Sequence, residues 1–128
     1  LRNKNFYVFI VTNQAGIAKN IFKENDFFNL HKKIKTKLAL ENLYFNDVQY
    51  CPYHPDAKIK KYRRTTSLRK PGNKMVKILF AKWFIKKNKS FMIGDKITDQ
   101  KCAEKSNLIF FYSENNFFSQ IKKIIRKI

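Results

Sequence analysis

Acidic side chains are scarce in this chain. Nine Asp and Glu stand against 28 Lys and Arg in 128 residues, a formal net charge of +19. Such a balance fits either a polyanionic partner such as nucleic acid or compositional drift. Lys, Asn, Ile and Phe are abundant together, as AT-rich coding produces, and the cations are spread through "HKKIKTK", "KIKKYRR", "WFIKKNK" and "IKKIIRK" rather than gathered. That spread over polar helix faces and one loop favours drift, and charge alone names no function. Cysteine is nearly absent: Cys51 and Cys102 make no disulfide framework and read as reduced thiols of a cytoplasmic protein. No apolar run approaches the roughly 18 residues of a membrane span. The opening "LRNKNFYVFIVTNQ" turns polar too soon for a signal peptide. It lacks an initial Met and enters a strand almost at once, as an incomplete chain would. There is no internal repeat and no low-complexity linker. What is present, 44% hydrophobic and 16% aromatic residues, supports one globular domain over residues 1–128.

Apolar runs and periodicity place the elements. "FYVFIVT" (6–12) reads as a strand buried on both faces, of the kind found in parallel sheets. "NQAGIAKN" turns, with Gly16 supplying backbone freedom. Phe27, Leu30, Ile34 and Leu38 predict a helix from Glu24 to about Asn42, and "DVQYC" (47–51) a second strand. Residues 52–72 hold all three prolines and form a long basic loop. Met75, Ile78, Leu79 and Trp83 predict a helix from Lys74 to about Lys87. A strand "SFMIG" (90–94), a short helix beginning near Thr98 or Asp99, a strand "NLIFFY" (107–112) and a basic helix (116–127) complete the chain. Strands alternating with helices imply an α/β sandwich with a mainly parallel sheet.

In such a sheet, ligands bind beyond the carboxyl ends of the strands. Three polar clusters fall there: "TNQAG" after the first strand, "RKPG" before a helix, and "GDKITD" after the third strand. A hydroxyl with turn amides, a Lys with an Arg, and paired carboxylates suit one task together. The Lys and amides hold a phosphate, and the carboxylates hold a Mg²⁺ that neutralises it. Singly, each motif is more often an ordinary strand end, turn or surface charge; order and placement make the combination informative.

"FIVTNQAGIAKNIF", "YCPYHPDA", "LRKPGNKM" and "MIGDKITDQKCA" resemble, in the same order, the haloacid dehalogenase (HAD) superfamily of phosphatases, subfamily IIIA. The likeness is to the branch of D,D-heptose 1,7-bisphosphate and histidinol-phosphate phosphatases and spans residues 6–112. It implies a HAD-like Rossmannoid three-layer sandwich and a Mg²⁺-dependent phosphomonoesterase acting on a small sugar phosphate. It further implies Thr12 as the phosphate-binding hydroxyl, with Asn13, Gln14 and Ala15 lining the substrate turn. Arg69 would recognise substrate, Lys70 would steady the nucleophile and phosphoryl oxygens, and Lys96 would touch substrate. Asp95 would bind Mg²⁺, and Asp99 would orient Lys70 or a metal-bound water. The family's opening strand, Asp-x-Asp-Gly-Thr, is expected upstream of residue 1, leaving the sheet without its first strand and the nucleophile and acid/base outside the chain. This chain alone is therefore expected to be inactive.

Relatives in that branch often bind structural zinc through Cys-x-His and Cys-x-Cys. Here Cys51 is kept, but Tyr53 stands at the His position and Thr66 and Leu68 at the two Cys positions, so no zinc is expected. His31 reads as a surface or boundary residue, Cys102 as a small buried one, and Trp83 as part of a core stripe. Other readings are histidinol-phosphate phosphatase, polynucleotide 3′-phosphatase, and a non-catalytic basic module binding nucleic acid. "CPYHP" favours the sugar-phosphate branch, with a monomeric cytoplasmic protein and neither membrane nor nucleic acid as partner.

Overall fold

The computed structural model describes residues 5–128. The expected incompleteness of the start falls on residues 1–4 and lies outside them. Two compact units are present, residues 1–69 and 70–128, and in each a parallel two-stranded sheet carries helices, as the alternation of elements predicted.

In the first unit β1 (Phe9–Asn13) pairs in parallel with β2 (Asp47–Cys51), Phe9 opposite Asp47 and Asn13 opposite Cys51. The strand predicted from residue 6 starts at Phe9 because its partner is five residues long. Ahead of the ladder, Val8 is held by Asn46 instead, its N–H donating to Asn46 Oδ1 at 2.7 Å and its carbonyl accepting from Asn46 N at 2.7 Å. After a short α1 (Ala15–Ala18), α2 (Glu24–Leu40) begins where Asp26 accepts from the Lys23 N–H at 2.8 Å, one half of a capping box. The inward stripe of α2 is Phe27, His31, Ile34 and Leu38, whereas Leu30 is 55% exposed. His31 stacks 4.3 Å from the Phe27 ring, so it sits at the boundary, as expected, and on the packed side.

In the second unit α3 (Lys74–Lys82) buries Met75, Val76 and Leu79, and β3 (Phe91–Gly94) pairs in parallel with β4 (Ile109–Tyr112). Helix α3 ends five residues earlier than predicted. Trp83 still donates to Leu79 O at 2.9 Å but is itself extended, and Phe84 beyond it is 89% exposed, so nothing buried rewards another turn. Between the strands, α4 (Ile97–Lys105) buries Asp99, Cys102 and Ala103. Asn73 Nδ2 donates to Lys105 O at 2.9 Å, tying the start of α3 to the end of α4. The terminal α5 (Phe117–Lys127) is seated by Gln120, which donates to Tyr112 O and accepts from Glu114 N, and by buried Ile124.

Turns that need positive φ are made by asparagine: Asn5, Asn20, Asn42 and Asn107 have φ between 55° and 58°, and no described glycine does. Asn20, Asn42 and Asn107 each follow the C-cap of a helix. The next residue's N–H returns to a carbonyl five residues back (Ile21 to Gly16, Leu43 to Leu38, Leu108 to Ala103) in a Schellman closure. Gly16 therefore supplies room rather than backbone freedom: it lies within α1, and a Cβ there would press on the Phe22 ring, 2.9 Å from Cζ. Among the described residues no helix is long and apolar enough to cross a membrane.

Candidate active site

In the first unit the β1 end is fixed by backbone bonds on both sides of Gln14. Its N–H donates to Cys51 O at 2.8 Å, and its carbonyl accepts from Ile17 N at 3.1 Å. The Gln14 side chain turns back, Nε2 donating to Thr12 Oγ1 at 2.9 Å. Thr12, Asn13, Gln14 and Ala15 thus form one ordered turn at a strand end. Gln14 also borders a cavity of about 250 Å³ with Phe22, Asp26, Phe27 and Leu30.

After β2 the loop closes on itself through both backbone and side chains. His54 and Arg63 form a parallel bridge, Arg63 Nε donates to Ala57 O at 2.8 Å, and the Arg64 guanidinium lies 4.2 Å from the centre of the Tyr53 ring. Cys51 is fully buried with Sγ 3.7 Å from Tyr53 O; burial pushes its thiol up, against the Tyr53 carbonyl contact and the Arg69 charge. At the end of this unit Arg69 donates its N–H to Thr66 O at 3.3 Å, while its Nη1 is buried with no hydrogen-bond partner among the described residues. A buried guanidinium donor left unspent is costly, and a bound anion would relieve it.

The second unit holds the paired carboxylates within itself. Lys70 Nζ meets Asp99 Oδ1 at 2.5 Å, with the two side chains 12% and 6% exposed. Asp99 Oδ2 accepts from the N–H groups of Asp95 at 3.2 Å and Lys96 at 3.1 Å, so this carboxylate is also the N-terminal cap of α4. Burial works to raise its pKa, but the Lys70 ammonium and the Lys96 and Asp95 amides outweigh that, and the carboxyl lies below its ordinary value. Lys70 engages one Asp99 oxygen and two backbone amides the other, so the Lys70 ammonium rests on a carboxylate that is itself held in place. Asp95 and Lys96 are exposed at the same turn, and among the described residues nothing engages the Asp95 carboxylate.

One residue of this cluster carried no sequence expectation. Gly94 ends β3 where a Cβ would run into Asp99, nearest its Cβ and 2.5 Å and 2.6 Å from Oδ2 and Cγ. Only a residue without a side chain lets the Asp99 carboxylate reach the Asp95 and Lys96 amides. The signal lay in "GDKITD", a glycine five residues before an acid, but the contact itself is tertiary.

Whether Mg²⁺ fits can be judged from the donor set. Mg²⁺ keeps several waters and needs only one or two carboxylates beside a phosphate. Asp95 offers one such open carboxylate. No cluster of three or more His, Cys, Asp and Glu able to hold a metal occurs among the described residues. The fit is therefore to a single protein carboxylate from this chain, with oxygens of other origin completing the shell.

No family model matches the chain. Among curated proteins it is 35% identical over 109 residues to the D-glycero-β-D-manno-heptose-1,7-bisphosphate 7-phosphatase of Rhodopseudomonas palustris, covering 85% of this chain and 61% of that protein. It is 32% identical over 108 residues to the enzyme of that name from Escherichia coli K12, covering 84% and 56%. The chain thus spans little more than half the length of the curated relatives it matches. Among solved structures, a HAD-like phosphatase from Mesorhizobium loti superposes with a TM-score of 0.85 at 20% identity, over 98% of this chain and 66% of that one. The D,D-heptose 1,7-bisphosphate phosphatase of B. bronchiseptica, solved with magnesium and phosphate, superposes with 0.75 at 20% identity, over 96% and 65%. In sequence, then, the chain is similar to curated heptose-1,7-bisphosphate 7-phosphatases, and in fold it matches solved HAD-like phosphatase structures.

Proposed function

We propose that this chain belongs to a Mg²⁺-dependent phosphomonoesterase that removes the 7-phosphate of a heptose 1,7-bisphosphate. The observation that carries this reading is the Lys70–Asp99 pair: an ammonium held by a buried carboxylate, hydrogen-bonded on both oxygens, beside an open one, Asp95. That arrangement suits charge developing on a transferring phosphoryl group, because a preoriented cation needs no reorganisation as the charge grows. The names of the curated relatives support the substrate, and the magnesium and phosphate in the B. bronchiseptica enzyme support the ion.

In this reading the Thr12 hydroxyl donates to a phosphoryl oxygen, and the turn of Asn13, Gln14 and Ala15 shapes the substrate side. Arg69 spends its free Nη1 on substrate, and Lys96 contacts it from the α4 turn. Lys70, kept in place by Asp99, offsets the charge of the phosphoryl oxygens. Asp95 would hold Mg²⁺, which when bound neutralises phosphate charge and polarises the phosphorus for attack. The nucleophile, an Asp forming an aspartyl-phosphate, and the acid/base are proposed to lie upstream of residue 1, and residues 1–128 to form one catalytic domain with them.

The test compares this chain with a protein in which an Asp-x-Asp-Gly-Thr strand precedes it. With Mg²⁺ and heptose 1,7-bisphosphate, the longer protein should release phosphate and the 128-residue chain should not. In the longer protein, Asp95→Asn should raise the Mg²⁺ concentration required. Near-normal turnover and Mg²⁺ dependence in folded Asp95→Asn would reduce these acids to turn and cap residues.

A further inference from the structure

We infer that Gln14 is a positioning residue, which fixes the direction of the Thr12 hydroxyl so that its proton is presented to a phosphoryl oxygen. The inference deepens the proposed function, because it rests on Thr12 as a phosphate-binding group.

A threonine hydroxyl has one proton to donate and lone pairs to accept, and by itself it rotates to suit either role. An amide nitrogen has no lone pair to offer, so the 2.9 Å contact from Gln14 Nε2 makes Thr12 Oγ1 the acceptor. The hydroxyl proton must then point elsewhere. Among the described residues its one acceptor is the Asn13 carbonyl at 3.5 Å, the long limit of a hydrogen bond. Accepting from the amide also polarises the O–H and strengthens its donation.

Gln14 is well placed to impose this orientation. Its backbone is held on both sides, N–H to Cys51 O and carbonyl to Ile17 N, so its side chain leaves from a fixed point. Residues two apart along a strand end share a face, which brings the amide over Thr12. The surroundings give the amide little else to do. Phe22, Phe27 and Leu30 line the adjoining cavity, and Asp26, also there, already accepts from the Lys23 N–H. An amide in a largely apolar wall with its donor committed to the neighbouring hydroxyl is an orienting group. A Met or Leu would fill the same wall without orienting anything.

A double-mutant cycle read by inorganic phosphate binding, measured calorimetrically on the full-length protein, tests this. Thr12→Val should weaken phosphate binding about tenfold, as loss of a hydrogen bond to a charged group does. Gln14→Met, nearly isosteric, should weaken it about fivefold, and the double variant should bind within twofold of Thr12→Val, because Gln14 acts only through that hydroxyl. Gln14→Glu keeps the shape but accepts, drawing the Thr12 proton toward itself, and should bind more weakly than Gln14→Met. Circular dichroism of each variant controls for folding. A Gln14→Met loss that persists in full on the Thr12→Val background would overturn the inference. So would normal binding by Gln14→Met and Gln14→Glu when Thr12→Val is impaired, and that result would leave the phosphate reading standing. Normal phosphate affinity in Thr12→Val would end that reading, and the inference with it.

Discussion

Replacing Gly94 by alanine adds one methyl group at the place where β3 meets α4. That methyl would fall nearest the Asp99 Cβ, 2.5 Å from Oδ2 and 2.6 Å from Cγ, where carbon atoms normally approach to about 3.5–4.0 Å. Rotating the Asp99 side chain cannot relieve the overlap, since its Cβ is fixed to the helix backbone. Two responses remain. If α4 backs away and Asp99 keeps its bonds, the cost is that of overpacking, about 2 kcal/mol. If Asp99 instead gives up its bonds to the Asp95 and Lys96 amides, the loss of hydrogen bonds to a charged group brings the total to about 4 kcal/mol. At roughly 4 °C per kcal/mol for a chain of this size, Tm should fall by about 8–16 °C. Gly16→Ala is the internal comparison. Its clash is with the ring of Phe22, the far end of a side chain that can turn aside, so it should cost only about 1 kcal/mol. Thermal melts followed by circular dichroism decide the matter. A Gly94→Ala protein melting within about 2 °C of the parent, or Gly16→Ala proving the more damaging of the two, would show that the close approach of Gly94 to Asp99 is not what holds this turn.

The pair at Lys70 and Asp99 makes a pH prediction. Because the Asp99 carboxyl is depressed below its ordinary 3.8, its contribution to stability is complete above that value and is lost as pH falls through the depressed one. Lys70→Met leaves burial less opposed, so the carboxyl titrates higher and the acid-unfolding midpoint, followed by circular dichroism, should move to higher pH; an unmoved midpoint would argue against the pair. In the longer protein proposed above, loss of Lys70 should lower kcat by about 10²–10³, the scale for one preorganised electrostatic partner, as steady-state kinetics would show. Tyr50 is pushed up to about 12 by burial and by its hydrogen bond to Glu24. Its contribution is present below about pH 10 and lost as pH rises toward 12, so Tyr50→Phe should flatten the alkaline limb of stability. Elemental analysis should find well under one equivalent of zinc, given only Cys51 and His54 as nitrogen or sulfur ligands in the loop.

Much of this was legible along the sequence because it is local. The order of elements followed from apolar runs and helical spacing, and β2 came out at the predicted residues. Asp99, four residues after Asp95, could be read as an N-terminal helix residue from the turn alone. What was not legible depends on partners distant in sequence. Nothing in "FYVFIVT" shows that β2 offers only five residues to pair with, or that Asn46 captures Val8. Leu30 fits a helical stripe as well as His31 does, and only the packing of Phe27 and Phe45 around the imidazole selects His31. Lys70 and Asp99 are 29 residues apart, so their pairing shows only in the folded chain. Gly94 looked like the end of a strand; its use lies in what stands opposite it.

The asparagines at the helix ends have a consequence for how such a chain tolerates its own coding bias. A left-handed turn is usually written with glycine, and asparagine is the side chain that enters that conformation most readily after it. Here three helices stop on asparagine, and Gly16 and Gly94 stand where a Cβ has no room. A drift that replaces glycine with asparagine can therefore pass through the turns with little penalty while being halted at Gly94 and resisted at Gly16. Two of the three glycines that survive here mark crowding, so in a sequence of this composition the remaining glycines are the ones to inspect for close contacts.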